Sequence, residues 1–150
     1  MPTLYFAAPM FSEAELSFNA ALAAEIERLG YTVFLPQRDG VDATKEPWAS
    51  MPPEEMRRTI FEGDRDAVQA CDVLLFVLDG RVPDEGACIE LGLAYAHRQA
   101  TARRRALIGL MTDRRGAFLS APLNPMIGEA LDELHVTRAS LLAALARLEF

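Results

Sequence analysis

With 150 residues, 51% of them hydrophobic and 25% charged, the chain holds enough apolar material for one buried core and too much for a disordered segment. A formal charge of -7 argues against a nucleic-acid binder, because phosphate backbones require clustered Lys and Arg, while small neutral ligands remain compatible. No apolar run approaches the roughly 20 residues that span a bilayer, and the N-terminus carries no basic leader, so a cytoplasmic protein is expected.

Taken in order, the apolar pattern alternates between short runs and helical periodicity. Residues 3–8 read as a buried strand. Ser12 and Glu15 have the spacing of a capping box, and Phe18, Leu22, Ile26 and Leu29 recur on one face of the helix that follows, with Gly30 ending it. Residues 32–35 read as a second strand stopped by Pro36, and residues 37–52 as a long polar loop. A helix over 53–71 precedes the clearest strand, 73–80, which is apolar on both faces as a central parallel strand should be. A helix over 85–101, a strand over 106–111, a loop over 112–125, a short helix near 126–132, a short strand near 133–136 and a helix over 139–148 complete the chain. Such alternation predicts a single α/β domain over 1–150: a flavodoxin-like three-layer sandwich with a five-stranded parallel sheet in the order 2-1-3-4-5. In that order ligands sit beyond the carboxyl ends of strands one and three, which directs attention to residues 5–11 and 79–90.

Three carboxylates stand out. Glu90 has Gly86, Ala87, Leu93 and Ala94 as its helical neighbours, so a carboxylate sits among small and apolar residues. Its place within two turns of a helix N-terminus favours the ionised form that a nucleophile at an anomeric carbon needs; a surface glutamate is the alternative. Asp64 falls where the stripe Met56, Ile60, Ala67 and Cys71 lacks a member. A core-facing carboxyl must be paired or raised in pKa, which suits either a structural Asp or a general acid. Asp84 stands at the start of the Glu90 helix, either as an N-cap or as an acceptor for a sugar hydroxyl. Asp79 and Gly80 are as consistent with a turn as with a site.

The remaining candidates have plain alternatives. Tyr5 and Phe11 flank the first strand's end, where aromatic residues are usually core. Gln37, Arg38 and Asp39 follow strand two and can reach a base edge or simply line an exposed loop. Asn124 and Met126 lie in a late loop where Asn-Pro turn chemistry alone explains the asparagine. Arg103, Arg104 and Arg105 read as charges favourable to a helix end. Cys71 and Cys88 read as buried free thiols, and His97 and His135 as packed or exposed residues rather than ligands. No metal is expected, because no HExxH, cysteine cluster or acidic pair at ligand spacing occurs; GxGxxG and Walker patterns are also missing.

Together these segments resemble the nucleoside 2-deoxyribosyltransferase family. The resemblance rests on LYFAAPMFSEAELSFN at the first strand, LPQRDG after the second, DRDAVQACDVLLFVLDG followed by DEGACIELGLAYA at the centre, and LNPM late in the chain. It implies a double displacement with retention: Glu90 attacks C1' of a 2'-deoxynucleoside, Asp64 is the acid/base for the leaving base, and Tyr5 holds the Glu90 carboxylate. It also implies that Asp84, with Gly86 beside it, binds the sugar 5'-hydroxyl. Gln37 would face the base, Phe11 and Met126 would wall the pocket, and Asn124 would come from a neighbouring subunit of a homo-oligomer. No chemical cofactor is implied; the partners are nucleosides and free nucleobases.

Two rivals remain. A 2'-deoxynucleoside 5'-monophosphate N-glycoside hydrolase is disfavoured because Glu13 and Glu15 in the loop after strand one would repel a dianion. A non-catalytic nucleoside-sensing module on the same fold has no need of a nucleophile.

Overall fold

The computed structural model describes residues 1–80, 82–113 and 123–150. Five parallel strands, β1 (Thr3–Ala7), β2 (Thr32–Phe34), β3 (Val73–Val77), β4 (Ala106–Leu110) and β5 (Glu133–His135), lie in the order β2-β1-β3-β4-β5. This is the predicted order. The helices are α1 (Glu13–Arg28), α2 (Pro36–Asp39), α3 (Pro53–Ala70), α4 (Glu85–Thr101), α5 (Pro125–Gly128) and α6 (Arg138–Leu145), with a 3-10 turn at Trp48–Ser50. None of the described helices is long and apolar enough to cross a membrane.

Alternation along the strands divides the core in two. Leu4 and Phe6 of β1, with Val73, Leu75 and Val77 of β3, pack with Leu22 and Ile26 of α1 and Leu141 and Leu145 of α6. Tyr5 and Ala7, with Leu74 and Phe76, face the opposite layer, where Val68 of α3 and Ala87, Leu91 and Ala94 of α4 cover them. All five residues of β3 are buried, as befits the central strand of a parallel sheet. Gly109 in β4 lets the layer close: a Cβ there would lie 2.8 Å from both Leu131 and Leu134.

Several boundaries differ from the sequence reading. The Ser12–Glu15 capping box is present, yet Leu29 is the exposed C-cap of α1 rather than part of its buried face, and Gly30 takes the positive φ that follows it. Pro36 does more than stop β2; it occupies the first turn of α2, where its missing N–H costs nothing. β3 ends at Val77, three residues early, because the chain turns out of the ladder at Gly80, φ +130°. The helix expected near 126–132 closes at Gly128. Ile60 is exposed, so the inner stripe of α3 runs through Asp64, Ala67, Val68 and Cys71. Most of the loop expected over 112–125, including Gly116, lies outside the described residues.

Candidate active site

Three elements of the α3/α4 layer bring polar groups to one point. Tyr5 is the third residue of β1, fully buried, and its ring stacks on Phe34 of β2 at 5.4 Å between centroids and 12° between planes. The two residues are register partners on adjacent strands. The Tyr5 hydroxyl donates to Glu90 Oε1 at 2.6 Å, a short charge-assisted bond across the sheet–helix interface. Glu90 reaches inward because it shares a face of α4 with buried Ala87, Leu91 and Ala94. Asp64, half-buried on α3, acts on the same hydroxyl and through space on Glu90.

Burial governs the ionisation of this cluster. It raises the Glu90 carboxyl to about 7; the Tyr5 hydrogen bond works against that rise, and the Asp64 and Asp84 charges add to it. Dipole stabilisation of an ionised Glu90, expected from sequence, is therefore outweighed. Glu90 lies beyond the first turn of α4, where the dipole's effect has faded, and desolvation dominates. Burial likewise raises Asp64, partly offset by the Tyr5 hydroxyl. Tyr5 is raised by its own burial and then by both carboxylates, so it stays a neutral donor. Burial thus works against ionising both carboxyl groups at once.

The other predicted residues occupy varied positions. Asp84 caps α4, its Oδ1 accepting from the Ala87 amide at 2.9 Å, and is electrostatically coupled to Glu90. Gly86 is exposed, and a Cβ there would lie 3.1 Å from Asp84 Oδ1. Gln37 is tied into the protein at both ends of its amide. It accepts from buried Asn19 at 3.1 Å and donates to the Leu16 carbonyl at 2.9 Å. Arg38 and Asp39 are bound to one another; Arg38 also meets Glu27 and the Val33 carbonyl, and Asp39 the Leu35 amide. These bonds bind the start of α2 to its neighbours. Phe11 and Met126 are 80% and 82% exposed, so Phe11 is not core. Asn124 is exposed and caps α5 through the Met126 amide. In this chain the structure joins Tyr5, Asp64, Glu90 and Asp84 electrostatically, and no hydrogen bond links Asn124, Gln37, Phe11 or Met126 to them among the described residues.

Sequence reasoning missed three supports. Phe34 stacks on Tyr5, a pairing fixed by strand register that no local pattern reveals. Asn19 is 2% exposed and bridges Pro9 and Gln37; a polar residue on the buried face of α1 was its only signal. Arg103 and Arg105 do not serve their own helix end. Both donate to carbonyls at the C-terminus of α3, Arg105 from a 5% exposed position.

Comparison with known proteins agrees with this architecture. A conserved protein from Enterococcus faecalis V583 is 26% identical, with 97% of each chain covered and a TM-score of 0.76. A 2-deoxyribosyltransferase from Bacillus psychrosaccharolyticus is 20% identical, with 99% of this chain and 93% of that chain covered and a TM-score of 0.75. A CMP N-glycosidase from Clostridium botulinum is more distant: 19% identity, coverage of 95% and 96%, TM-score 0.56. No curated protein matches the sequence. With residues 4–135 matching the family's sequence pattern on this five-stranded fold, the chain belongs to the nucleoside 2-deoxyribosyltransferase family.

Proposed function

We propose that the protein transfers 2-deoxyribose between nucleobases by double displacement. The observation that carries this reading is the Tyr5 hydroxyl donating to Glu90 with Asp64 beside the same group. Burial raises both carboxyl groups, and the Tyr5 hydroxyl works against that rise at each of them. The chemistry needs one anion and one acid. The Glu90 carboxylate forms a bond to C1' as the C1'–N bond breaks, and Asp64 gives its proton to the departing base. The resulting ester is opened by a second base, whose proton returns to Asp64 as Glu90 leaves, so the two inversions give retention. Asp84 accepts the 5'-hydroxyl, and Gln37, Gly86, Phe11 and Met126 contribute to sugar and base recognition. Asn124 reaches the site of a neighbouring copy. The two thiols, Cys71 and Cys88, are free, which suits a reducing cytoplasm.

Free nucleosides fit better than 5'-monophosphates. A helix N-terminus is a natural phosphate site, but at that of α1 the Glu15 carboxylate already sits, and its charge repels a second anion. Glu15 accepts from the Phe11 and Ser12 amides, both at 2.8 Å, and Ser12 accepts from the Glu15 amide. The test is incubation with deoxyinosine plus adenine, deoxyinosine alone, and deoxynucleoside 5'-monophosphates, with products followed by chromatography. Deoxyadenosine in the first mixture is expected. Hypoxanthine alone in both deoxyinosine mixtures would make the protein a hydrolase, and no turnover of any substrate would make it a sensor.

A further inference from the structure

Asp79 lies two residues past the end of β3, outside the carboxyl cluster, and is more heavily bonded than a turn residue requires. Its Oδ1 accepts from the Thr112 amide at 2.6 Å and the Asp113 amide at 2.7 Å, and its Oδ2 accepts from the Thr112 hydroxyl at 2.5 Å. Three donors from the start of the segment after β4 thus converge on one carboxylate. Just before it, the Leu78 amide donates to the Leu110 carbonyl. The exits of β3 and β4 are therefore pinned together beyond their last ladder pair, Val77 and Leu110. Gly80 has φ +130°, and a Cβ there would lie 3.3 Å from the Val82 carbonyl oxygen. Pro83 then restricts the approach to Asp84, which caps α4 through Ala87. Asp79 is thus held at the exit of β3, and Asp84 at the start of α4.

We infer that Asp79 is a positioning residue whose clamp on Thr112 and Asp113 sets the placement of the Asp84 carboxylate. Its oxygens are occupied by protein donors, so it acts through Asp84 rather than on a substrate. This rests on the assignment of Asp84 to the sugar 5'-hydroxyl. Losing the clamp weakens recognition of that hydroxyl while leaving the Tyr5–Glu90 pair in place. The effect therefore falls on KM for the deoxynucleoside more than on the acid limb of the pH profile, which belongs to Glu90.

A double-mutant cycle tests the inference. Asp79→Ala, Asp84→Ala and the double variant are assayed for base exchange with deoxyinosine and with its 2',5'-dideoxy analogue. Asp79→Ala is expected to raise KM for deoxyinosine about tenfold, the order of one lost charge-assisted hydrogen bond. It should have little effect on the analogue and add little in the Asp84→Ala background. Asp79→Asn, which keeps an acceptor for the two amides, should recover most of the loss. Hydrogen exchange at the Ala87 amide, read by NMR on the unliganded protein, should be faster in Asp79→Ala and near wild type in Asp79→Asn. Equal penalties on both substrates, additivity with Asp84→Ala, or unchanged Ala87 exchange would each overturn the inference. Should Asp79→Ala not fold, Thr112→Val removes the hydroxyl donor alone, and the same pattern at smaller size is required. Failure of the functional reading looks different: the wild-type protein would then exchange no base, whereas the exchange of Ala87 would still report on the clamp.

Discussion

Glu90 is placed by two opposing effects. Burial makes its charge costly, and a buried phenol partly repays that cost through one short bond. Since its carboxyl rises from 4.5 to about 7 on folding, the folded state holds more protons across that interval. Its contribution to stability is thus full below about 4.5 and lost as pH climbs through about 7. Glu90→Gln should remove this dependence, so that its stability relative to wild type improves by about 3 kcal/mol between acid and mildly alkaline pH. Urea unfolding at several pH values measures it, and a pH-independent difference would contradict the burial argument. The same substitution should abolish base exchange. Tyr5→Phe removes the bond that favours the anion, so the acid limb of the kcat/KM profile should move to higher pH. A limb that stays fixed would mean that Tyr5 does not tune Glu90.

At the scale of elements, α3 and α4 must keep Asp64 and Glu90 facing β1, and Arg105 is the tie between them. From the position just before β4 it donates to the Cys71 carbonyl at 2.9 Å, the Gln69 carbonyl at 2.5 Å and the Ala94 carbonyl at 3.2 Å. A guanidinium satisfies several diverging carbonyls at once, which an ammonium on the same stem cannot do. Removing it strands buried acceptors, so Arg105→Ala should lose about 3 kcal/mol of stability and several degrees in Tm. Arg105→Lys should recover only part of that loss. Thermal unfolding decides, and an unchanged Tm would show that water replaces the guanidinium without cost. The capping box of α1 shows local design at work: Ser12 and Glu15 start the helix, and Glu15 leaves a carboxylate at its N-terminus.

For the molecule as a whole, the question is what lies against the outward apolar side chains. Phe61 of α3 and Ile89 of α4 are 54% and 62% exposed, on the two helices that carry the carboxyl pair. Asn124 and Met126 also face outward. In a homo-oligomer whose sites are shared, Glu90→Gln and Asn124→Ala are inactive alone. Mixing them under conditions that allow subunit exchange would then restore activity, because hybrid sites combine an intact Glu90 with an intact Asn124. Failure to complement, with exchange verified by sedimentation, would place both residues in one chain's site or remove Asn124 from it.

Hydrophobic periodicity and turn residues determined the strand order, the α1 cap, the helix bearing Glu90 and the gap that Asp64 fills, because these depend on contacts a few residues apart or on rules of parallel-sheet winding. The functional weight given to Glu90, Asp64 and Tyr5 came from family resemblance; spacing alone left plain alternatives open. Other features depend on residues distant in sequence. The 2.6 Å bond between Tyr5 and Glu90 spans 85 positions, and the Asp79 clamp on Thr112 spans 33. Strand register, not local pattern, put Phe34 against Tyr5 and Arg105 against the end of α3. The protonation of Glu90 was likewise decided in three dimensions, because desolvation depends on everything packed around the group, whereas a sequence window sees only its own helix.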